Sequence, residues 1–171
     1  SPRLRPTLDA RMGWYLIFAT IPIGVLGLLF EDDIETTARN LKLIGTTLIV
    51  LGLVLLVADR IGRRERGMRD LTLRDGLVMG AAQALALVPG VSRSGATITA
   101  GLFLGLDRAA AARFSFLLSI PAVVLSGLYK FAQYLAGDVT GADVGTGSLL
   151  LATALAFASG YAAIAFLLRY V

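Results

Sequence analysis

Pro89-Gly90-Val91-Ser92-Arg93-Ser94-Gly95-Ala96-Thr97-Ile98 lies inside an apolar stretch from Gly76 to Leu106, 31 residues in which Arg93 is the only charged one. Burying that charge in a membrane costs about 2.5–3.5 kcal/mol on insertion scales. Such a residue needs a partner. An oxyanion suits a guanidinium flanked by hydroxyls, and phosphate fits its planar fork of donors. The plainer alternative is an arginine that reaches an interface or pairs with a carboxylate, although no acid lies within the run.

Pro89-Gly90 and Gly95 break the stretch into two arms, about 76–88 and 94–106. Each arm covers roughly 20 Å as helix, short of a hydrocarbon core of about 30 Å. The pattern predicts a re-entrant helical hairpin that carries Ser92, Arg93 and Ser94 at its tip. Irregular backbone is tolerated at membrane depth only where protein or a cavity surrounds it. The second arm begins near Ser94, so free amides and the positive end of a helix dipole face the tip. With the hydroxyls of Ser92, Ser94 and Thr97, the tip reads as an anion cradle. The pairs Gly76/Gly80 and Gly101/Gly105 read as close-packing positions between helices.

The rest of the chain supports a membrane setting. Of 171 residues, 56% are hydrophobic and 16% charged, and the mean hydropathy is +0.75. Spans are predicted over 13–30, 41–58, 109–136 (bent near Pro121) and 148–168. Together they make an all-α, polytopic membrane protein with four spanning helices and one re-entrant hairpin. No linker or soluble segment interrupts residues 1–171, which read as a single integral membrane domain. Arg60, Arg63, Arg64, Arg66, Arg69 and Arg74 crowd the loop 59–75, a strong cytoplasmic marker. Arg3, Arg5 and Arg11 then share that side, and the acidic segment Glu31, Asp32, Asp33, Glu35 falls outside. Because the arginines cluster beside spans, the net charge of +4 does not point to nucleic acid. Cysteine and histidine are both absent, which removes thiolate chemistry, disulfides and the commonest general base.

The segment AQALALVPGVSRSGATIT, from Ala82 to Thr99, closely resembles the second signature of the undecaprenyl-diphosphate phosphatases, also called bacitracin-resistance proteins. FSFLLSIPAVV, from Phe114 to Val124, resembles the helix that follows it. The resemblance implies an inverted-repeat membrane hydrolase of the bacterial plasma membrane, with its hairpin tip toward the external face. It implies removal of the terminal phosphate of undecaprenyl diphosphate, which recycles the lipid carrier for peptidoglycan and gives bacitracin resistance. Carried over, Arg93 corresponds to the phosphate-binding arginine, and Ser92 and Thr97 to polar catalytic-pocket residues. Ser94, Gly95, Gly90 and Gln83 are expected to contribute to substrate binding. Gln83 resembles the counterpart of a glutamate in the family's other half, with an interhelical hydrogen bond as the alternative reading.

The family's first signature, a glutamate-rich segment followed by a Ser-Thr-Gly-His-like loop, is not found in these residues. A divalent cation, Mg²⁺ or Ca²⁺, is implied by the resemblance alone, with its ligands outside this chain, which reads as a fragment lacking that first signature and the family's last helix. The bilayer and the polyprenyl diphosphate are the expected partners, and a homodimer is compatible with them. The rival reading is a transporter or flippase for an anionic polyprenyl lipid, since re-entrant hairpins also serve transporters.

Overall fold

The computed structural model describes residues 8–30, 40–136 and 145–170. The acidic segment 31–35, the arginines at positions 3 and 5, and most of the loop 137–147 lie outside the described residues. Among the described residues six α-helices follow one another: α1 (Leu8–Leu29), α2 (Leu41–Ile61), α3 (Leu73–Ala84), α4 (Arg93–Phe103), α5 (Arg108–Ala136) and α6 (Thr146–Tyr170). No strand occurs among the described residues, and one isolated bridge joins Arg66 to Leu106. Ala10–Leu29, Leu41–Ile61 and Arg108–Ala136 are long and apolar enough to cross a membrane, and α6 carries a shorter apolar run, Gly147–Ala163. The chain divides into two compact units, one up to Tyr129 and one from Lys130 onward. The second holds the end of α5 and α6; the hairpin lies wholly in the first.

Local chemistry explains where the helices start. Asn40 caps α2 by accepting from the Lys42 amide at 2.9 Å. Thr72 and Asp75 form a reciprocal capping box at the start of α3, and Asp107 caps α5 through the Ala110 amide at 2.7 Å. These side chains satisfy amides that have no carbonyl one turn back. α1 continues through Pro22 and α5 through Pro121.

The expected hairpin is α3 and α4, with shifted ends. The first arm starts earlier, at Leu73, and its last turn tightens into a 3-10 segment, Leu85–Leu87. The second arm starts at Arg93 and stops at Phe103. At 12 and 11 residues the arms run about 18 and 16 Å, too short to span. α3 packs on α4, α1 on α3, and α2 on α4. Gly80 is where α1 and α3 touch, because a methyl group there would collide with the Ala19 carbonyl and lie 2.7 Å from its Cα. At Gly101 it would meet the Ala111 methyl at 2.9 Å. Gly105 differs from expectation. Its φ of +83° makes it the turn that ends the arm rather than a helix-packing position.

Arg66 ties the base of the hairpin together. Its guanidinium donates to both Asp75 oxygens (3.0 and 2.6 Å), to the Leu104 carbonyl (3.0 Å) and to the Asp70 carbonyl (2.8 Å). Its backbone exchanges hydrogen bonds with Gly105 and Asp107. Burial pushes the Asp75 carboxyl up, but hydrogen bonds from Arg66 and Thr72 outweigh it and hold the group below the ordinary carboxylate range. The hydrogen bond to Asp75 in turn raises Arg66. Nearby, Arg108 grips Asp59 with two bonds of 2.6 and 2.7 Å, and Arg64 joins at 3.3 Å. The end of α2, the start of α3, the end of α4 and the start of α5 therefore meet at one end of the structure. Arg11 of α1 adds a bond to the Leu71 carbonyl at 3.4 Å.

The tip lies at the opposite end. The Thr47 hydroxyl donates to the Pro89 carbonyl at 2.8 Å, and Leu87 faces Gly27 near the end of α1. Thr47 is within two turns of the start of α2, so the hairpin penetrates most of that helix's length.

Candidate active site

The site is built on the first turn of α4. Ser92 has extended backbone, φ −68° and ψ 122°, and its Oγ accepts from the Gly95 amide at 3.2 Å. This cap fixes where the helix begins and makes Arg93 its first residue. The amides of Arg93 and Ser94 then have no carbonyl one turn back, and the helix dipole adds partial positive charge at the same place. Gly95 lets the cap close, since a methyl there would press on Ser92 Cβ at 3.1 Å. Ser92 Oγ and Ser94 Oγ are 3.3 Å apart.

A cavity of about 220 Å³ opens beside this turn, lined by Arg93, Ser94, Ser115, Phe116 and Ser119. Arg93 is half-buried, and among the described residues no carboxylate pairs with it. Asp59 and Asp75 are held by Arg64, Arg108 and Arg66. A guanidinium with no partner for its fork among the described residues, beside helix amides and hydroxyls, can take an anion with several oxygens. Phe116 is 67% exposed and sets an apolar ring against the same opening.

The structure distributes the sequence candidates unevenly. Arg93 and Ser94 line the cavity. Ser92 and Gly95 shape the turn that carries them. Thr97 is buried behind it, its hydroxyl 3.0 and 3.1 Å from the carbonyls of Arg93 and Ser94 and 2.6 Å from Ser115 Oγ. Gly90 is a packing residue of the tip. Its φ is +88°, and a methyl there would collide with Thr47 and with the Ile44 backbone. Gln83 is fully buried, outside the cavity lining, and its amide has no hydrogen-bond partner among the described residues. Sequence reasoning missed the second wall, Ser115, Phe116 and Ser119 of α5. The one available signal was the Ser115/Ser119 pair at a four-residue interval, which places both on one helix face.

No three histidine, cysteine, aspartate or glutamate side chains converge among the described residues.

The family model described as bacitracin resistance protein BacA matches residues 3–171. Three similar proteins each bear the name undecaprenyl-diphosphatase. That of Nocardia farcinica is 56% identical over 96% of this chain and 52% of its own length. That of Kineococcus radiotolerans is 58% identical over 99% of this chain and 59% of its own. That of a Nocardioides species is 54% identical over 100% and 61%. The chain thus spans about half to three fifths of the length of the curated relatives it matches. A match along nearly the whole of this sequence, on long apolar helices around a charged hairpin, makes the protein a membrane protein that belongs to the bacitracin resistance protein BacA family.

Proposed function

We propose that this chain forms part of an enzyme that hydrolyses undecaprenyl diphosphate to undecaprenyl phosphate and phosphate. The reading covers recycling of the lipid carrier for peptidoglycan and, with it, bacitracin resistance. One observation carries it: Arg93, half-buried and without a carboxylate partner among the described residues, lines a cavity at a helix N-terminus beside an exposed apolar ring. A diphosphate on an isoprenoid chain presents that pairing of a multivalent anion and an apolar tail. Arg93 would neutralise the diphosphate as charge develops on the departing phosphoryl group, with the first amides of α4 aimed at its oxygens. Phe116 would meet the first isoprene units. The three relatives bearing the name undecaprenyl-diphosphatase support the assignment. The divalent cation, with ligands beyond this chain, belongs to the same proposal.

The arrangement in the membrane is proposed with it: four spans, with α6 as the fourth, and one re-entrant hairpin within an inverted-repeat fold. The arginine-rich loop marks the cytoplasmic side of the bacterial plasma membrane. The tip lies at the other end of α2 and faces outside.

The test is phosphate release by the full-length protein in detergent. Arg93→Ala should lower kcat by at least about a hundredfold, the scale of losing one oxyanion donor. Arg93→Lys should recover little of this, because it keeps the charge without the fork. Near-normal release by Arg93→Ala in a folded protein would reject the proposal. Lipid translocation in vesicles without hydrolysis would favour the transporter.

A further inference from the structure

We propose that Ser115 is a further phosphate-contacting residue, its hydroxyl donated into the cavity by a two-hydroxyl relay that begins at Thr97. This rests on the reading of the cavity as a diphosphate site. The first observation is placement. Ser115 is 3% exposed, yet it lines the cavity together with Arg93 and Ser94. The second is its hydrogen bonding. Serines within apolar helices usually turn back onto their own helix. Ser119 does so, donating to the Phe116 carbonyl at 2.7 Å, and Ser126 donates to the Val123 carbonyl at 3.1 Å. Ser115 instead reaches across to Thr97 Oγ1 at 2.6 Å.

Each hydroxyl has one proton and two lone pairs, so two arrangements fit the oxygens. In one, Thr97 donates to the carbonyl of Arg93 or Ser94, and Ser115 donates to Thr97. In the other, Thr97 donates to Ser115, and the Ser115 proton turns to the cavity. The second costs little, because both carbonyls also accept helix amides from one turn ahead. An anion held by Arg93 favours it, since Thr97 then polarises the Ser115 donor. The change needs rotation of two hydroxyls and no movement of heavy atoms. In effect α4 supplies the charge and α5 supplies a buried donor to the same ligand.

The experiment uses the full-length protein in detergent with a polyprenyl diphosphate, with inorganic phosphate as the competing probe. Ser115→Ala should lower kcat/KM about tenfold or more and weaken inhibition by phosphate by a similar factor. Thr97→Val, which keeps shape but loses the hydroxyl, should show a smaller loss of both. The double variant should be no worse than Ser115→Ala, because Thr97 acts through Ser115. Where Ser115→Ala does not accumulate, Ser115→Cys keeps the volume and replaces the hydroxyl by a weak donor, and the same losses are expected. Unchanged kcat/KM and phosphate inhibition, with only a lowered melting temperature, would overturn the proposal and leave the pair as a helix-to-helix tie. Arg93→Ala run alongside separates the two failures. If it too retains activity, the diphosphate reading falls; if it alone is inactive, only the role of Ser115 falls.

Discussion

Replacing Gly90 by alanine should damage the site without touching a ligand. Gly90 holds φ at +88°, a conformation that costs an L residue about 1–2 kcal/mol. The new methyl would also sit 2.5 Å from the Ile44 carbonyl oxygen and 2.9 Å from Ile44 Cα. Ordinary contacts are nearer 3.5–4 Å, so the tip must retreat from α2 by roughly 1 Å. Backbone cannot yield as a side-chain end can, and overpacking of this kind costs about 1–3 kcal/mol. The sum is about 2–5 kcal/mol, equivalent to roughly 4–20 °C in melting temperature at about 2–4 °C per kcal/mol. The measurement is thermal unfolding of purified full-length protein, paired with phosphate release. Stability and activity should fall together, because the retreating tip drags the Ser92 cap and Arg93 with it. A Gly90→Ala variant that melts like wild type but loses phosphate affinity would refute the packing argument. It would place Gly90 against the ligand instead.

Two further outcomes are expected. Asp75→Asn should destabilise the protein by about 3 kcal/mol at neutral pH, because it leaves Arg66 half-paired at the hairpin base. Asp75 is held below its ordinary value, so its contribution is present above the unfolded carboxyl pKa and is lost as pH falls through the lowered one. The melting gap between wild type and Asp75→Asn should therefore close in acid, and a gap independent of pH would exclude the ion pair as its source. Phe116→Ala should reduce kcat/KM for a long polyprenyl diphosphate more than for a short water-soluble diphosphate. Equal loss on both substrates would remove the ring from tail binding.

The hairpin was legible because its evidence is local. A Pro-Gly break and two arms too short to span can be read from consecutive residues. The Ser92 cap was legible only as a hydroxyl near a helix start, one position from the true boundary. The base knot was not legible. Arg66 looks like one arginine among six, and its bonds reach Asp75 nine residues away and Leu104 thirty-eight away. The second wall was hidden for another reason. A serine in an apolar helix is ordinarily satisfied by its own backbone, so only its four-residue interval from Ser119 separates Ser115 from Ser126 in the sequence. Gly105 was read by type, as a packing glycine. Its positive φ, which no composition reveals, assigns it to a turn, whereas the φ of Gly90 agrees with the Pro-Gly break read from the sequence.

The short arms of the hairpin also bear on how the chain enters a bilayer during synthesis. Neither α3 nor α4 is long enough to be released into lipid as a finished span, and the Arg93 tip cannot rest in hydrocarbon by itself. α1 and α2, the helices against which the hairpin packs, precede it in the chain. They leave the ribosome first and build a slot for the hairpin before it arrives. The tie Arg66–Asp75 can form once α3 has begun, whereas Arg108–Asp59 can form only after the hairpin is made and α5 has begun to follow. In the proposed topology, insertion of the hairpin would thus be an ordered docking event, closed by ion pairs at the face from which the chain enters.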